Sequence, residues 1–308
     1  MTVIWVVLIV IAALIVLYFL AIMPRLTNRE PRKPFLNALY AHRGLHDNAS
    51  EAPENSMAAF KKAVYAGYGI ELDVQLTKDG VPVVFHDFTL KRACGQEGKI
   101  CDYTWQELQE FHLFESTEKI PRFEEVLDMV NGKVPLIVEL KVEWLDISVC
   151  PAADALLRKY KGLYCIESFN PMALMWYRRY RNEVVRGQLA DEFLKYEEYR
   201  SPLYLILQNL LLNWMTKPDF VAYNHKYAGN LSRRLCRSLY KNMAAAWTIK
   251  SQEELDAAWD QFDVFIFDSF LPKKECRSGK GKSAKKAFKR VRKASTSPDL
   301  NSRTNFPI

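Results

Sequence analysis

The chain opens on an unbroken apolar run. Val3 to Ile22 carries no charge, and twenty residues rising about 1.5 Å each reach about 30 Å, one hydrocarbon core, so a transmembrane helix is predicted. From Asn37 the pattern changes. Short β-branched or apolar runs at Ala38–His42, Gly69–Val74, Leu136–Leu140, Tyr164–Glu167, Val184–Gln188, Phe220–Tyr223, Ala244–Ile249 and Val264–Phe267 read as strands. Helical patterns opened by Asn, Thr or Pro lie between several of them: Asn55–Tyr65, Thr104–Phe111, Phe123–Val130, Asp154–Tyr160, Pro171–Arg181 and Gln252–Gln261. Such alternation predicts an α/β fold with a parallel sheet, and eight strands in about 235 residues favour a closed TIM-type (β/α)8 barrel over an open sheet.

One further run, Pro82–His86, breaks the alternation. It follows Gly69–Val74 after Lys78-Asp79-Gly80, a turn signature, and the gap is too short for a parallel crossover. A rim hairpin after the second strand is therefore expected. Folding about the Asp79–Gly80 link sets Asp73 opposite His86, give or take a bulge that slips the register. A second irregular stretch, Leu203–Met215, is apolar except for Gln208, Asn209 and Asn213, which share one arc of a helix. It is too short to span a bilayer. Two readings stand: a helix buried against the barrel, or one lying in the membrane interface with Trp214 at headgroup level.

Composition narrows the class. Hydrophobic residues make up 49% and charged residues 26%, which excludes a wholly disordered chain, and 12 glycines exclude a collagen-like one. The 6 cysteines form no CxxC pair, against a disulfide scaffold or structural zinc. The net charge of +7 is unevenly placed: from Lys273 onward twelve Lys/Arg face only Glu275 and Asp299, a net +10, leaving −3 for the rest. No basic segment precedes the apolar run and no small-x-small exit ends it, which favours an uncleaved anchor over a signal peptide. Arg25, Arg29, Arg32 and Lys33 follow it, so the positive-inside rule predicts a single-pass cell-membrane protein whose barrel faces the cytoplasm. Free cysteines suit that reducing side. The expected segments are an anchor (1–24), a juxtamembrane linker (25–36), a barrel (37–272) and a basic tail (273–308) too poor in apolar residues to fold. The tail is expected to meet anionic lipid, with nucleic acid the less favoured partner.

Polar residues gather where the strands end. His42-Arg43-Gly44 closes the first strand, and Ala52-Pro53-Glu54-Asn55-Ser56 opens a helix. Glu71-Leu72-Asp73 lies on the second strand, Phe85-His86-Asp87 ends the hairpin arm, and Glu139-Leu140-Lys141 ends the third barrel strand. Carboxyl ends of strands form the face where barrel active sites are built. Strand alternation points Glu71 with Asp73, and Glu139 with Lys141, to one side. Charges inside a barrel are unfavourable unless paired or bound to a cation. Three carboxylates without a cysteine suit a hard ion, Mg2+, Ca2+ or Mn2+. His42 and His86 can supply a base and an acid near neutrality, and Arg43 and Lys141 positive charge for a phosphate. Each residue alone has a structural explanation, a capped strand end or a rim ion pair. Together on one face they point to phosphodiester cleavage.

Taken in order, these segments with Val74, Thr77-Lys78-Asp79-Gly80, Val83-Val84, Ser168-Phe169 and Trp247-Thr248 resemble the glycerophosphodiester phosphodiesterases, here a membrane-anchored, bacterial-type member. The resemblance runs from Ala41 to about Asp268 and implies a TIM-type barrel, a divalent cation, and hydrolysis of glycerophosphodiesters to sn-glycerol 3-phosphate and an alcohol. It makes Glu71, Asp73 and Glu139 metal ligands, His42 and His86 the acid–base pair, and Arg43 and Lys141 phosphate contacts. It makes Glu54 a carboxylate near the metal and Trp247 an aromatic wall for the glycerol. Ser56 stands where the family usually has Thr. Phe267-Asp268-Ser269-Phe270 departs from the usual Thr-Asp before Pro and leaves the role of Asp268 open. His46-Asp47 and Leu203–Met215 are not general family features. The expected activity is thus a metal-dependent phosphoric diester hydrolase of lipid metabolism. Two alternatives remain, a lysophospholipase D acting on membrane lysophospholipids, and a silent barrel that only tethers the tail to membrane or nucleic acid.

Overall fold

The computed structural model describes residues 2–27 and 29–273, so the expected basic tail lies, Lys273 apart, outside the described residues. Among the described residues nine strands form: β1 (Leu39–His42), β2 (Gly69–Leu76), β3 (Pro82–Val84), β4 (Leu136–Leu140), β5 (Tyr164–Ser168), β6 (Arg186–Ala190), β7 (Phe220–Asn224), β8 (Met243–Ile249) and β9 (Val264–Phe267). β1 pairs in parallel with both β2 and β9, which closes eight strands into the expected barrel, while β3 runs antiparallel on the outer edge of β2. The hairpin register is Val74↔Val84 and Leu76↔Pro82, one residue away from the expected pairing. The turn closes on Thr77 and Val81 rather than on the Asp79–Gly80 link: Thr77 N donates to Val81 O, and Val81 N donates to Thr77 Oγ1. Gly80, at φ +78, supplies the left-handed residue of this three-residue loop. Phe85, not His86, therefore lies opposite Asp73, and its N–H donates to Asp73 O.

Helix bounds shift where the pattern is weak. The helix expected at Asp154–Tyr160 forms at Val149–Leu157, because Pro151 sits in its first turn, where the missing N–H is not needed. The helix Leu231–Ser238, capped by the Asn230 side chain accepting from Arg233 N, has few apolar positions to reveal it. Leu203–Met215 breaks into Pro202–Gln208 and Asn213–Thr216 around Leu210, at φ +57. Two of its three polar positions, Gln208 and Asn213, are buried, while Leu203, Leu205 and Trp214 are exposed and Leu210 enters the core, so the segment meets the barrel through a mixed face and not through a continuous apolar one.

The barrel is filled from its base. Tyr40, Ile137, Cys165, Phe220, Met243 and Ile266 form an apolar plug, and Tyr40 fits because Gly69 has no Cβ, which would lie 2.5 Å from its ring. Beneath the plug runs the segment that follows the N-terminal helix Thr2–Ala21. That helix is long and apolar enough to cross a membrane, a property signal sequences share. Ile22 and Phe35 are buried, and Arg32 Nε donates to Asp219 Oδ1 at 3.2 Å. Asp219 also accepts from Arg186 N and pairs with Arg25 at 3.5 Å. Burial pushes the Arg186 guanidinium down to about 10, against the pull of Asp219. Asp219→Ala leaves Arg32 and Arg186 buried without their counter-charge, and is expected to lower stability by about 3–5 kcal/mol in urea titrations of the detergent-solubilised chain.

Candidate active site

Above the plug the barrel interior turns polar. His42 ends β1, and the chain then bends sharply through Arg43 (φ +54) and Gly44 (φ +85). A Cβ on Gly44 would lie 2.9 Å from Ala59, so only glycine lets this bend rest on the first turn of helix Met57–Ala66. Ser56 caps that helix, its side chain accepting from Ala59 N. Glu71 and Asp73 point inward from β2, Leu72 outward into the core under the helices, and Asp73 stands beside Glu139 in the β2–β4 ladder.

The carboxylate oxygens of Glu71, Asp73 and Glu139 lie within 4.8 Å of one another, and all three residues are buried. Lys141 Nζ donates to Glu139 Oε1 at 2.8 Å and sits 3.0 Å from Asp73 Oδ1. Arg43 Nη1 donates to Glu54 Oε1 at 2.7 Å, and Arg43 N to Glu71 Oε2 at 3.2 Å. Asn55 Nδ2 donates to Asp73 Oδ2 at 2.9 Å. Burial opposes the charge on Asp73, but Lys141, His86, Arg43 and the Asn55 bond outweigh it and hold the carboxyl well below the usual range. Glu71 goes the other way, pushed well above that range by burial and by Asp73, Glu167 and Glu139. Burial also raises Glu139, partly countered by Lys141. For Glu54, burial is outweighed by bonds from Arg92 and the charge of Arg43, and its carboxyl falls to about 2. The cluster therefore gathers more carboxyl groups than Arg43 and Lys141 pair with, and burial with this crowding is what raises Glu71 and Glu139. Oxygen-only donors whose charged forms would be favoured by a cation fit a hard divalent ion.

The two histidines flank this cluster. His42 Nδ1 lies 3.4 Å from Asp268 Oδ2, and its Nε2 3.9 Å from Glu71 Oε2. Burial and Arg43 bring the imidazole down to about 4 despite the pull of Asp268. Asp268 also meets His46 Nε2 at 3.1 Å. His86 Nδ1 lies 2.6 Å from Asp87 Oδ1, and Arg92 ties Asp87 to Glu54. Trp247 stands across the mouth on β8. It packs edge-on to Phe169 at 5.5 Å and lines a pocket of about 250 Å3 with Asp191, Phe193 and Tyr196. Its indole N–H is enclosed and has no partner among the described residues.

All nine residues singled out in the sequence thus lie at the mouth. His42, Arg43, Glu54, Glu71, Asp73, His86, Glu139 and Lys141 form one charge-linked cluster, and Trp247 stands apart from it. Two residues escaped the sequence reading. Asp268, left open there, holds His42. Glu167 neighbours Glu139 in the β4–β5 ladder and is buried, and its Oε2 has no hydrogen-bond partner among the described residues. Burial, with Glu139 and Asp73 nearby, pushes it well above the carboxylate range. Strand alternation from Cys165 was the signal that could have pointed it inward.

Comparison with known proteins agrees with this arrangement. Residues 42–264 match the model of the glycerophosphoryl diester phosphodiesterase family. A glycerophosphodiester phosphodiesterase of Bacillus altitudinis is 38% identical over 115 residues, 35% of this chain and 46% of that protein. The chain spans about half the length of the curated relatives it matches. The crystal structure of the glycerophosphodiester phosphodiesterase of Thermotoga maritima shares 29% identity at a TM-score of 0.58, covering 74% of this chain and 93% of that one. An Oleispira antarctica phosphodiesterase, solved with the product sn-glycerol 3-phosphate, shares the fold at 23% identity and a TM-score of 0.61, over 77% and 94% of the two chains. With the family match spanning most of the barrel and the barrel closed as in these structures, the chain belongs to the glycerophosphoryl diester phosphodiesterase family.

Proposed function

We propose that the chain hydrolyses glycerophosphodiesters to sn-glycerol 3-phosphate and an alcohol, with Glu71, Asp73 and Glu139 holding one divalent cation, Mg2+, Ca2+ or Mn2+. The observation that carries this reading is the three-carboxylate cluster flanked by two histidines and two cationic side chains. The bound cation would supply positive charge to the phosphate oxygens. Lys141 and Arg43, fixed by Asp73 and Glu54, would hold the remaining phosphate oxygens with little reorganisation. Asp268 fixes the proton on His42 Nδ1, so Nε2 is the atom free to accept one from the nucleophile, water or the glycerol 2-hydroxyl. At neutral pH this imidazole is unprotonated, as a base must be. His86, its Nδ1 held by Asp87, presents Nε2 as the donor to the departing alkoxide. Trp247 and Phe169 offer an aromatic wall to the glycerol, with the unpaired indole N–H ready for a hydroxyl. The N-terminal helix would anchor the barrel in the cell membrane as a single pass, with the barrel on the cytoplasmic side.

Chelation tests the cation. Hydrolysis of glycerophosphocholine should disappear in excess EDTA and return when Mg2+, Ca2+ or Mn2+ is added back. Full activity after exhaustive chelation removes the three-carboxylate site from the reaction, and no hydrolysis of any phosphodiester under any cation favours the silent barrel.

A further inference from the structure

A cavity of about 560 Å3 opens on the outer wall of the barrel, between the helix Leu231–Ser238 and the segment that follows the helix Gln252–Ala258. Arg233, Arg234, Arg237 and Lys241 line it, against Asp260 and Asp263. Lys241 and Asp263 stand just ahead of β8 and β9, so the cavity lies toward the base, the face opposite the carboxylate cluster. Arg233 and Arg237 are four residues apart on the helix and share one stripe of its surface.

Four cations here face two carboxylates, and only one carboxylate is paired with them. Asp263 Oδ2 meets Arg237 Nη1 at 2.5 Å and also accepts from Ala244 N. Arg237 Nη2 turns to the backbone, donating to Asp260 O at 3.4 Å. Arg234 and Lys241 are exposed, and no carboxylate among the described residues pairs with either. Arg233 is the sharper case. It is buried, yet no carboxylate among the described residues pairs with it. Its Nε donates to Ala228 O at 2.8 Å and its Nη1 to Gln261 O at 3.2 Å, while the guanidinium lies 4.5 Å over the Phe262 ring. Nη2 donates to nothing among the described residues. Burial, then Arg237 and Arg234, bring this group down to about 10. A buried charge is unfavourable unless paired. The carboxyl end of a helix favours a cation, which accounts for Arg237 in the last turn. It does not account for Arg233, in the first turn.

We propose that this cavity is a binding site for a phosphomonoester dianion, with Arg233 and Arg237 as its floor and Arg234 and Lys241 closing over the phosphate from the solvent side. A guanidinium fixed by two carbonyls and a ring presents its remaining donors to oxygen with little reorganisation. Charge selects the class of ligand. Four cations less two carboxylates leave two positive charges, and a phosphomonoester carries about −1.5 to −2 near pH 7. A phosphodiester carries a single negative charge on its phosphate and is the poorer match. The cavity thus favours the kind of compound that diester hydrolysis releases over the kind it consumes. No bond is made or broken there, and binding does not depend on the hydrolytic reading. The same dianion occurs free in solution and as the head group of phosphatidate in a membrane.

The test is calorimetric titration of the full chain in phosphatidylcholine nanodiscs, in excess EDTA so that no divalent cation draws phosphate to the mouth. Inorganic phosphate and sn-glycerol 3-phosphate should both bind, and glycerophosphocholine about tenfold more weakly. Arg234→Ala with Lys241→Ala removes two exposed cations that hold nothing else in place. The pair should weaken phosphate binding about tenfold or more, while hydrolysis of glycerophosphocholine with cation restored stays within about twofold. No phosphate binding in EDTA, or equal binding by the double variant, overturns the site. Equal binding of phosphate and glycerophosphocholine overturns the preference for a dianion. Phosphatidate mixed into the nanodiscs identifies the source. Loss of free-phosphate binding makes the lipid head group the occupant, and unchanged binding makes it a free phosphomonoester; both support the site. Phosphatidylglycerol, a diester, is the control, and an equal loss with it overturns the preference for a monoester.

Discussion

His42→Ala and His86→Ala should each lower kcat by about 10²-fold or more, the usual scale for a group that moves a proton in the rate-limiting step. Both side chains are only partly buried, and neither packs into the apolar core, so the barrel should survive either change and the loss should appear in kcat rather than in the unfolding midpoint. The two are separable by pH. His42 sits at about 4 through burial and the neighbouring Arg43, so its base form persists well below the ordinary histidine range and the acid limb of kcat/KM should fall below pH 6.5. The same shift acts on stability. The folded imidazole stays neutral where the unfolded one takes up a proton, so stability falls as pH drops from about 6.5 to about 4. Asp268 pulls the His42 value upward, so Asp268→Asn should move the acid limb to still lower pH while reducing kcat less than His42→Ala does. A His42→Ala variant with near-normal kcat removes that residue from proton transfer, and the same holds for His86→Ala.

Lys141→Met should be the most destabilising change at the site when no divalent cation is present. The ammonium lies between Asp73 and Glu139 and is nearly buried. Burial alone would depress its proton affinity, but the two carboxylates outweigh burial and hold it charged well beyond neutral pH. Removing it leaves two buried carboxylates without their nearest positive charge, a loss expected to cost about 3–5 kcal/mol. Because the uncompensated carboxylates belong to the cluster assigned to the cation, millimolar Ca2+ or Mg2+ should recover a large part of that stability. Urea titrations with EDTA and with cation measure both quantities. A Lys141→Met protein as stable as the unmodified one in EDTA contradicts the pairing, and one that gains nothing from cation contradicts the shared cluster.

The barrel was legible because its signal is periodic. Eight apolar runs at βα spacing leave few other architectures, and period-two alternation places Glu71 with Asp73, and Glu139 with Lys141, before any strand is paired. What escaped depends on pairings between distant segments. Glu167 reads as one more residue in a short strand until β5 is laid against β4 and the residue falls beside Glu139. The grip of Asp268 on His42 joins the last strand to the first across 226 residues, and no local pattern announces it. The hairpin slipped by one because Thr77 and Val81, rather than the Asp-Gly pair, close its turn. The stretch from Leu203 misled for a different reason. A stripe of leucines normally seeks a core, yet here Gln208 and Asn213 take the interior because they satisfy buried backbone, Gln208 Oε1 accepting from Leu194 N and Asn213 Nδ2 donating to Ile22 O.

Ile22 is wholly buried, its carbonyl accepting from Asn213 and Cys236 and its N–H donating back to Tyr18 O. A leader peptidase cutting at the end of the apolar run would turn a residue at this point into a new amino terminus. The freshly made ammonium would then sit against the apolar side chains that now surround Ile22, deprived of water and of any carboxylate shown bonding to this backbone. A cut there would disturb the packing around Ile22. A soluble form for biochemistry should accordingly begin upstream of Tyr18, keeping the last turn of the helix as the lid of its own barrel wall.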